Sequence, residues 1–505
     1  MNESSTCFRD YSFLGMTKSL CPECLQLVDA KIVSRDNRIY FRKTCSVHGS
    51  REDFVCSDAS YFDRTEFSLP GKTPSSFGVT ASKGCPYDCG LCTEHEQHTC
   101  IGLLEITSSC NLECPICFAG SGPGGQHLTW QQCQTAIDRL VEVETQPEVL
   151  QLSGGEPTIH PNFLEILRYA CEQPIDIVMI NTNGVRIARD KAFVEELAKL
   201  RHRCEIYFQF DSFEEDSTVA IRGQSLVETK LKAIERLGEY GIRTTLVCTV
   251  QAGVNDQQIG RIADFAIERP WITGLSFQPT TYSGRFFLPD DLENRITFPD
   301  ILKSMEIQTQ GRWKANDFSP LPCAHPNAHS LGYAVRDRTS PSSFLPLSRF
   351  IDLDNHLELL SGRITFDRQR ASHLIQTYLT RGGCGPQGCS PQAISEKIQA
   401  LSAGAKSELT QKLAGEFLTK AISQELEPED MLRVTTTSFM DAYNFDVRQL
   451  MKSCVHHVLP SGHLIPFSAY NVLYRDGHLP LPELRATQGR EPVGRSSRLV
   501  SISAK

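Results

Sequence analysis

One spacing of cysteines, Cys-x3-Cys-x2-Cys, occurs twice within a short part of this chain. The first copy is GCPYDCGLC, beginning at Gly84, and the second is SSCNLECPIC, beginning at Ser108. Clustered thiols in a reduced compartment hold metals more often than they form disulfides. The chain has 20 cysteines in 505 residues. Metal binding is therefore the strongest constraint on how it can fold.

The two copies differ in whether a fourth cysteine follows them. A 4Fe-4S cluster needs four ligands, and thiolates are the usual ones. The first copy can recruit Cys100, which predicts a closed auxiliary cluster on Cys85, Cys89, Cys92 and Cys100. After the second copy the next cysteine is Cys133, which falls on an apolar helical face and is expected in the core. One iron would stay open, as one position of a catalytic zinc does. The predicted catalytic ligands are Cys110, Cys114 and Cys117.

Six apolar, β-rich segments alternate with helical segments in the middle of the chain. The predicted strands are 101–107, 148–153, 175–181, 205–211, 244–250 and 274–280. A helix with an N-cap at Thr129 is predicted after the second cysteine copy. Such alternation indicates right-handed crossovers and a parallel sheet. The fold class is therefore α/β. The sheet could close partly into a barrel or stay open, and in either case ligands should gather at the carboxyl ends of the strands.

The amino-acid composition and the predicted secondary structure change along the chain. We expect a β-rich, four-cysteine domain over 1–80, an auxiliary cluster segment over 81–100 and the α/β core over 101–290. A mixed, mostly helical, cluster-binding region over 291–470 and a partly disordered tail over 471–505 follow.

The N-terminal segment supplies four thiolates of its own. CPEC provides Cys21 and Cys24, and Cys45 and Cys56 follow in a β-rich stretch. Four cysteines predict a closed tetrahedral site that holds iron, as in rubredoxin, or zinc, as in a zinc ribbon. His48 is a weaker ligand candidate and is expected to be exposed.

The second cysteine copy, followed by GGEP after the next strand, resembles the radical S-adenosylmethionine enzymes over residues 101 to about 285. The resemblance implies that the sheet closes into a partial (βα)6 barrel. The resemblance implies that the open iron binds the amino and carboxylate groups of S-adenosylmethionine. It also implies reductive cleavage to a 5'-deoxyadenosyl radical, with an electron donor such as ferredoxin or flavodoxin. Structural zinc, with His95 or His98 near the first copy or His127 near the second, is the alternative, and GGEP disfavours it for the second copy.

Residues near the strand ends are the predicted contacts of S-adenosylmethionine: Ile116, Phe118, Gly154, Gly155, Glu156, Pro157, Asn183 and Asp211. Gly154 and Gly155 would let the backbone approach the methionine amino group closely, and Glu156 could offset its charge. Ile116 and Phe118, which flank Cys117, would provide an apolar surface suited to the adenine ring. Asn183 and Asp211 could bind the ribose hydroxyls or could be ordinary turn residues.

Over most of its length the chain resembles the tetraether lipid synthases, sometimes described as pterin-methylating radical enzymes. The motifs include CPEC, LPCAHP around Cys323, SCVHH around Cys454 and IPFSAYN. The resemblance implies auxiliary 4Fe-4S clusters, one of them on Cys323 and Cys454. The branch has cysteine where this chain has Ser468. Cys384 or Cys389 could replace it, or a serine alkoxide could serve. The cluster could also be incomplete, or these cysteines could bind no metal.

Charge and hydropathy exclude several classes of function. The net charge of -9 disfavours a duplex nucleic-acid binder. The longest apolar runs are too short to cross a bilayer, and no secretory pattern is visible. We therefore expect a cytoplasmic protein with at most peripheral membrane contact through its basic tail.

The sequence predicts a radical S-adenosylmethionine enzyme that functionalises unactivated C–H bonds. The preferred reaction is C–C coupling on a lipid-like substrate. The alternative enzyme is a methyltransferase acting on a pterin or another small heterocycle. The non-enzymatic alternative is a zinc-ribbon interaction module, which the acidic charge and GGEP disfavour.

Overall fold

The N-terminal part of the computed structural model is a four-stranded antiparallel sheet. The model describes residues 9–361, 365–380, 396 and 408–484. The strands, in sheet order, are β1 Ser12–Leu20, β2 Leu27–Arg35, β3 Arg38–Cys45 and β4 Gly49–Cys56. Alternate residues of β3, Ile39 and Phe41, are buried in the main core. This follows from the two-residue period of strand side chains.

The large sheet has six parallel strands at its centre, adjacent to one another in chain order. They are β5 Ile101–Thr107, β6 Val149–Gly154, β7 Ile177–Thr182, β8 Cys204–Gln209, β9 Thr244–Val250 and β10 Ile272–Pro279. Crossover helices connect them, which confirms the predicted α/β fold with a parallel core.

The helices of the core pack their apolar faces on this sheet. They are α1 Trp130–Glu144, α2 Phe163–Glu172, α3 Val185–Arg189, α4 Lys191–Ala198, α5 Glu215–Arg222, α6 Val227–Glu239 and α7 Ile259–Ile267. The predicted N-cap of α1 is confirmed. Thr129 accepts the Gln132 N–H, and the Gln132 side chain accepts the Thr129 N–H, so both form a capping box.

The chain beyond 290 adds strands to both sides of the parallel core. The strands are β11 Ser319–Pro320, β12 His329–Arg336, β13 Phe344–Pro346, β14 Met431–Thr437, β15 Val455–Val458 and β16 Leu464–Pro466. The helices are α8 Phe298–Gln308, α9 Arg368–Thr380, α10 Glu408–Ser423, α11 Val447–Met451 and α12 Phe467–Ala469. β14 lies parallel beside β10, and β15 lies parallel beside β5.

The two edges of the large sheet approach each other. The Phe439 ring, after β14, stacks on the Phe467 ring, after β16, with centroids 3.8 Å apart. His329 Nε2, at the start of β12, lies 3.9 Å from Cys454 Sγ, just before β15. The sheet therefore curls into a partial barrel, and its open side is bridged by the C-terminal additions.

A buried ion pair within the N-terminal sheet also contacts these additions through its ammonium group. Lys43 Nζ lies 2.9 Å from an Asp53 oxygen, and both side chains are buried. The same ammonium donates to the carbonyls of Leu20, Ala442 and Tyr443. Removing one partner of such a pair costs roughly 3–5 kcal/mol. In the described part of the chain, no helix is both long and apolar enough to cross a membrane.

Candidate active site and metal centres

The second cysteine copy forms a loop at the carboxyl end of β5. Cys110, Cys114 and Cys117 share one buried patch. The backbones of Cys117 and Arg285 exchange two hydrogen bonds, of 2.8 and 2.9 Å. The Arg285 guanidinium donates to the carbonyls of Cys114 and Ser121. The chain after β10 therefore holds this loop in place and keeps its three thiols together.

The geometry of this loop fits a cluster better than a single ion. Within the described ranges, the N-terminal site is the one place where at least three candidate ligand atoms all lie within 4.8 Å of one another. A cluster spreads its thiolates because each binds a different iron. Burial raises the pKa of Cys110 to about 12, and coordination would reverse that preference because metal-bound thiols are deprotonated.

The two glycines of GGEP are required by close packing against this loop. A Cβ on Gly154 would lie 2.0 Å from the Thr107 carbonyl oxygen, and one on Gly155 would lie 2.2 Å from the Ser109 carbonyl oxygen. The Gly155 and Glu156 amides donate to these same two carbonyls at 2.8 and 2.9 Å. The glycines therefore let β6 approach the catalytic loop, a role that the sequence did not indicate.

Glu156 joins the ends of two strands. Its Oε1 accepts from the Thr158 and Thr182 hydroxyls at 2.6 and 2.8 Å, and its Oε2 accepts from the Asn183 amide at 2.8 Å. The Asn183 side-chain amide donates to Asn111 Oδ1 at 2.7 Å. Asn183 thus holds the catalytic loop, while its contact with the ribose stays a prediction.

Asp211 is engaged by a residue that the sequence did not single out. Arg222, at the end of α5, donates to both Asp211 carboxylate oxygens, at 2.7 and 2.8 Å, and both side chains are buried. Burial alone would raise the pKa of Asp211, but Arg222 holds it below its usual value. The Nη1 atom of Arg222 lies 3.5 Å from the Ile116 carbonyl oxygen. The pair is neutral overall and fixes the end of α5 beside the cysteine loop.

Lys230 is a second buried cation near this loop. Its Nζ, on α6, donates to the carbonyls of Gln209 and Asn183 at 2.6 and 3.3 Å. Burial lowers the pKa of Lys230 to about 8. Of the predicted apolar contacts, Ile116 is buried, and the Phe118 ring lies 5.0 Å from the Phe467 ring. Neither cation could be recognised as a site residue from the sequence, because each lies on a helix rather than at a strand end.

The structure brings three cysteines and one histidine together in the N-terminal sheet as a candidate metal site. Ligand atoms of Cys21, Cys24, Cys45 and His48 all lie within 4.8 Å of one another. His48 Nδ1 is 3.6 Å from the sulfurs of Cys21 and Cys45. Hydrogen bonds from the backbone of His48 and Val47 lower the pKa of Cys45 to about 6. This donor set is one that structural zinc uses.

The prediction of Cys56 as the fourth ligand is wrong. In the β3–β4 hairpin Cys45 pairs with Gly49, whereas Cys56 pairs with Ile39 at the opposite end. Six residues of strand separate these ends, which is about 20 Å. The Cys56 thiol instead donates to the Asp58 carbonyl at 3.5 Å. The hairpin turn between Cys45 and Gly49 is the signal that could have pointed to His48.

The prediction that Cys100 completes the first cysteine copy is also wrong. The Cys100 amide donates to the Cys454 carbonyl at 3.0 Å, because β15 pairs with β5. A hydrogen bond with Cys100, together with burial, raises the pKa of the Cys323 thiol. Cys100, Cys323 and Cys454 therefore form one group across the open side of the barrel. His98 Nε2 lies 3.4 Å from Cys100 Sγ.

The first cysteine copy keeps its own three thiols together. Cys85, Cys89 and Cys92 line one cavity that also includes His95. A hydrogen bond with Cys89 and, as the second cause, burial raise the pKa of Cys85 well above its usual value. Three thiols on one loop fit a cluster, as in the second copy. Cys100, the predicted fourth ligand of this copy, is grouped with Cys323 and Cys454 instead.

The remaining candidates around the C-terminal group are placed differently. Ser468 is buried, and its hydroxyl accepts the Met440 N–H at 2.9 Å. Ser468 follows Phe467, whose ring packs in the same buried cluster as Cys100 and Cys454. Cys384 and Cys389 lie outside the described residues.

Two families match parts of the chain. The Radical SAM superfamily matches residues 104–266 and the HMPTM N-terminal zinc ribbon domain matches residues 13–57. The 7,8-dihydro-6-hydroxymethylpterin dimethyltransferase of Methanocaldococcus jannaschii is 32% identical over 494 residues, covering 91% of this chain and 94% of that protein. The mycofactocin maturase MftC of Mycobacterium ulcerans is 32% identical over 167 residues, which cover 32% of this chain and 42% of the maturase.

Among solved structures, SuiB of Streptococcus suis bound to S-adenosylmethionine aligns with 42% of this chain and 47% of its own. The identity is 20% and the TM-score is 0.33. The assignment instead follows from the nearly full-length relative, the matched radical SAM segment and the cysteine loop at the end of β5. The chain is a radical SAM enzyme and belongs to the pterin-methylase-like branch of that superfamily.

Proposed function

We propose that this protein is a radical SAM methyltransferase that acts on a pterin-like nitrogen heterocycle. The observation that carries the proposal is similarity to the archaeal pterin dimethyltransferase along 91% of the chain. It includes the N-terminal metal site and the C-terminal additions as well as the barrel. Similarity limited to the barrel would indicate only the radical chemistry.

The residues around the cysteine loop have separate tasks in this proposal. Cys110, Cys114 and Cys117 hold the catalytic 4Fe-4S cluster. When bound, the cluster supplies the electron that cleaves S-adenosylmethionine and generates the 5'-deoxyadenosyl radical. Arg222, paired with Asp211 and lying 3.5 Å from the Ile116 carbonyl oxygen, positions the cysteine loop for S-adenosylmethionine. Glu156 and Asn183 keep the loop and the strand ends in fixed positions.

The other cysteine groups serve as auxiliary centres in this proposal. Cys85, Cys89 and Cys92 hold one cluster, and Cys100, Cys323 and Cys454 hold another. His95, which lines the first cavity, lies with its Nε2 2.8 Å from the Ser453 carbonyl oxygen. Ser453 directly precedes Cys454, so the two centres are close neighbours. A ferredoxin or flavodoxin supplies the electrons.

C–C coupling on a lipid-like substrate is the second candidate. The observation that favours it is the position of the Cys100, Cys323 and Cys454 group. Cys100 and Cys454 pack in the same buried cluster as Phe467 and Phe118, and Phe118 follows the catalytic Cys117. A metal centre this near the catalytic loop could hold one substrate radical while a second is generated.

Methyl-labelled S-adenosylmethionine distinguishes the two reactions. The reduced, reconstituted protein is incubated anaerobically with 6-hydroxymethyl-7,8-dihydropterin, and in parallel with a cell lipid extract. Methyl transfer places label in the pterin and accumulates S-adenosylhomocysteine. Coupling gives an unlabelled lipid product with methionine and 5'-deoxyadenosine. Label-free pterin together with a coupled lipid would overturn the methyltransferase proposal.

A further inference from the structure

The segment 97–100, directly before β5, joins the parts of the chain that carry Cys100, Cys323 and Cys454. The Gln97 side-chain amide donates to the Cys323 carbonyl at 2.9 Å. The Cys100 amide donates to the Cys454 carbonyl at 3.0 Å. The Cys100 thiol itself lies within hydrogen-bonding reach of the Cys323 and Cys454 thiols. A metal-binding side chain in this segment would therefore stand beside all three thiols.

His98 lies in this segment and directs one ring nitrogen at the cysteine group. Its Nε2 lies 3.4 Å from Cys100 Sγ, and both residues are buried. Imidazole nitrogen binds iron as well as zinc. Together with the three thiols it supplies four ligand atoms, which is the number that a 4Fe-4S cluster requires.

Glu144, at the end of α1, fixes the orientation of the His98 ring. Glu144 Oε2 lies 2.9 Å from His98 Nδ1, and Glu144 Oε1 accepts the Thr99 N–H at 2.7 Å. Because an ionised carboxylate can only accept, Nδ1 carries the ring proton, and the Nε2 of a neutral imidazole keeps its lone pair. Metal-binding histidines almost always donate their second N–H in this way, to a carboxylate, a carbonyl or water.

A second carboxylate near His98 is engaged elsewhere. Glu148 Oε1 lies 3.7 Å from His98 Nε2, which is longer than a hydrogen bond, but only 3.1 Å from Lys72 Nζ. Glu148 is therefore paired with an ammonium group. It leaves the Nε2 atom of His98 facing the Cys100 thiol.

His329 is a competing candidate on the other side of the cysteine group. Its Nε2 lies 3.9 Å from Cys454 Sγ, and its Nδ1 lies 3.2 Å from the Thr437 hydroxyl. A hydroxyl can donate or accept, so it does not fix which nitrogen of His329 carries the proton. His98 lies closer to a thiol and has a carboxylate that sets its tautomer, and both features favour it as the ligand.

We propose that His98 is the fourth protein ligand of the auxiliary centre on Cys100, Cys323 and Cys454, and that Glu144 positions its imidazole. This inference rests on the auxiliary 4Fe-4S centre of the proposed function and adds the ligand that closes it. With four protein ligands, no iron of this centre stays open to substrate. The centre is therefore suited to electron transfer rather than to binding substrate.

Pulsed electron paramagnetic resonance of the reduced, reconstituted full-length protein tests this ligand. Without S-adenosylmethionine, the spectrum should contain the strong coupling of a nitrogen bound directly to iron, and isotopic labelling of histidine nitrogen should change that coupling. The coupling should disappear in Cys100→Ala and in His98→Ala. It should persist in Cys92→Ala, in His329→Ala and in His202→Ala, which changes an exposed histidine.

Two further variants separate ligation from a structural role. His98→Cys offers a sulfur ligand and should retain the iron and sulfide of the centre while losing the nitrogen coupling. Glu144→Gln keeps a hydrogen-bond acceptor without the charge. It should retain the coupling but raise the reduction potential of the centre, because the imidazole becomes a weaker ligand. Glu142→Gln, at an exposed position of the same helix, should leave the potential unchanged.

The outcomes that contradict the proposal are distinct from failure of the proposed function. A Cys100-dependent iron centre without histidine coupling would overturn the ligand, as would a coupling that survives in His98→Ala and disappears in His329→Ala. If both His98 variants lose the centre, the wild-type coupling and its survival in His329→Ala decide. Absence of any Cys100-dependent iron would overturn the centre as well, and label transfer to the pterin would then show whether the methyltransferase survives.

Discussion

The amide of Cys100 donates to the carbonyl of Cys454 at 3.0 Å, and this bond aligns the start of β5 with the start of β15. Cys323 comes from the opposite edge of the sheet and hydrogen-bonds with the same Cys100 thiol. The three cysteines therefore bridge the open side of the barrel, so a metal bound there would join its two edges.

The first prediction is that Cys100 and Cys454 serve one centre. Cys100→Ala and Cys454→Ala should each remove the same amount of iron and sulfide, and the double variant should lose no more than either single variant. Cys92→Ala should cause a separate loss of iron that adds to the first loss, because Cys92 belongs to another cysteine group. Iron and sulfide analysis of the four reconstituted proteins makes the comparison. Additive losses from Cys100→Ala and Cys454→Ala would refute the shared centre.

The second prediction separates His48 from Cys56. His48→Ala should release one metal ion per chain and expose residues 9–57 to protease, because the binding free energy of such a site is folding free energy. Cys56→Ser should retain the metal, since the thiol lies at the far end of the hairpin. Metal analysis and limited proteolysis of both variants provide the measurement. Loss of metal in Cys56→Ser, with none in His48→Ala, would restore the four-cysteine site.

The third prediction concerns the two cysteine copies. Replacing Cys110, Cys114 and Cys117 with alanine should abolish 5'-deoxyadenosine formation. Replacing Cys85, Cys89 and Cys92 should remove iron but leave the shift of the remaining cluster signal on addition of S-adenosylmethionine. Product analysis and electron paramagnetic resonance report these two properties. Persistent cleavage in the first variant would be incompatible with the assigned catalytic loop.

The fourth prediction tests the buried pair of Asp211 and Arg222. Arg222→Met should destabilise the protein by roughly 3–5 kcal/mol, because it leaves the Asp211 carboxylate buried and unpaired. It should also weaken binding of S-adenosylmethionine. Adding Asp211→Asn should recover part of the stability but not the affinity. Arg189→Met, at an exposed position, should change stability by less than about 0.5 kcal/mol.

Unfolding free energies and the dissociation constants of S-adenosylmethionine decide this prediction. Full recovery of affinity in the double variant would show that Arg222 only neutralises Asp211.

The fifth prediction is a dependence of stability on pH. Burial lowers the pKa of His457 to about 3, whereas an unfolded histidine titrates near 6.5. As pH falls from about 6.5 to 3, the unfolded chain binds a proton that the folded chain excludes. Stability therefore falls by up to about 1.4 kcal/mol per pH unit for this residue. His457→Gln should remove that contribution to the slope.

Denaturation of the metal-free protein between pH 7 and pH 4 measures the slope. His202→Gln is the matched control, because His202 is exposed and its replacement should leave the slope unchanged. Equal slopes for His457→Gln and the wild type would show that the imidazole is not held neutral.

Features that depend on neighbouring residues along the chain can be predicted from this sequence. The six parallel strands follow from runs of apolar residues, the start of α1 from the Thr129 capping box, and the two three-cysteine loops from their spacing. GGEP could be placed beside the catalytic loop because the carboxyl ends of successive parallel strands meet at one edge. These features require only local periodicity and a handedness rule.

The grouping of residues that are distant in sequence depends on how the strands and helices pack. Cys100 lies beside Cys454 because β15 pairs with β5. No local sequence pattern specifies which later strand pairs with β5, the outer strand of the parallel core. His48 replaces Cys56 because hairpin register separates by about 20 Å two cysteines that are near in sequence. Arg222 reaches Asp211 from a helix whose side chains otherwise follow an ordinary pattern. A sequence motif specifies how many residues separate two side chains along the chain. A metal site or a buried ion pair depends instead on the distance between those side chains in the folded protein.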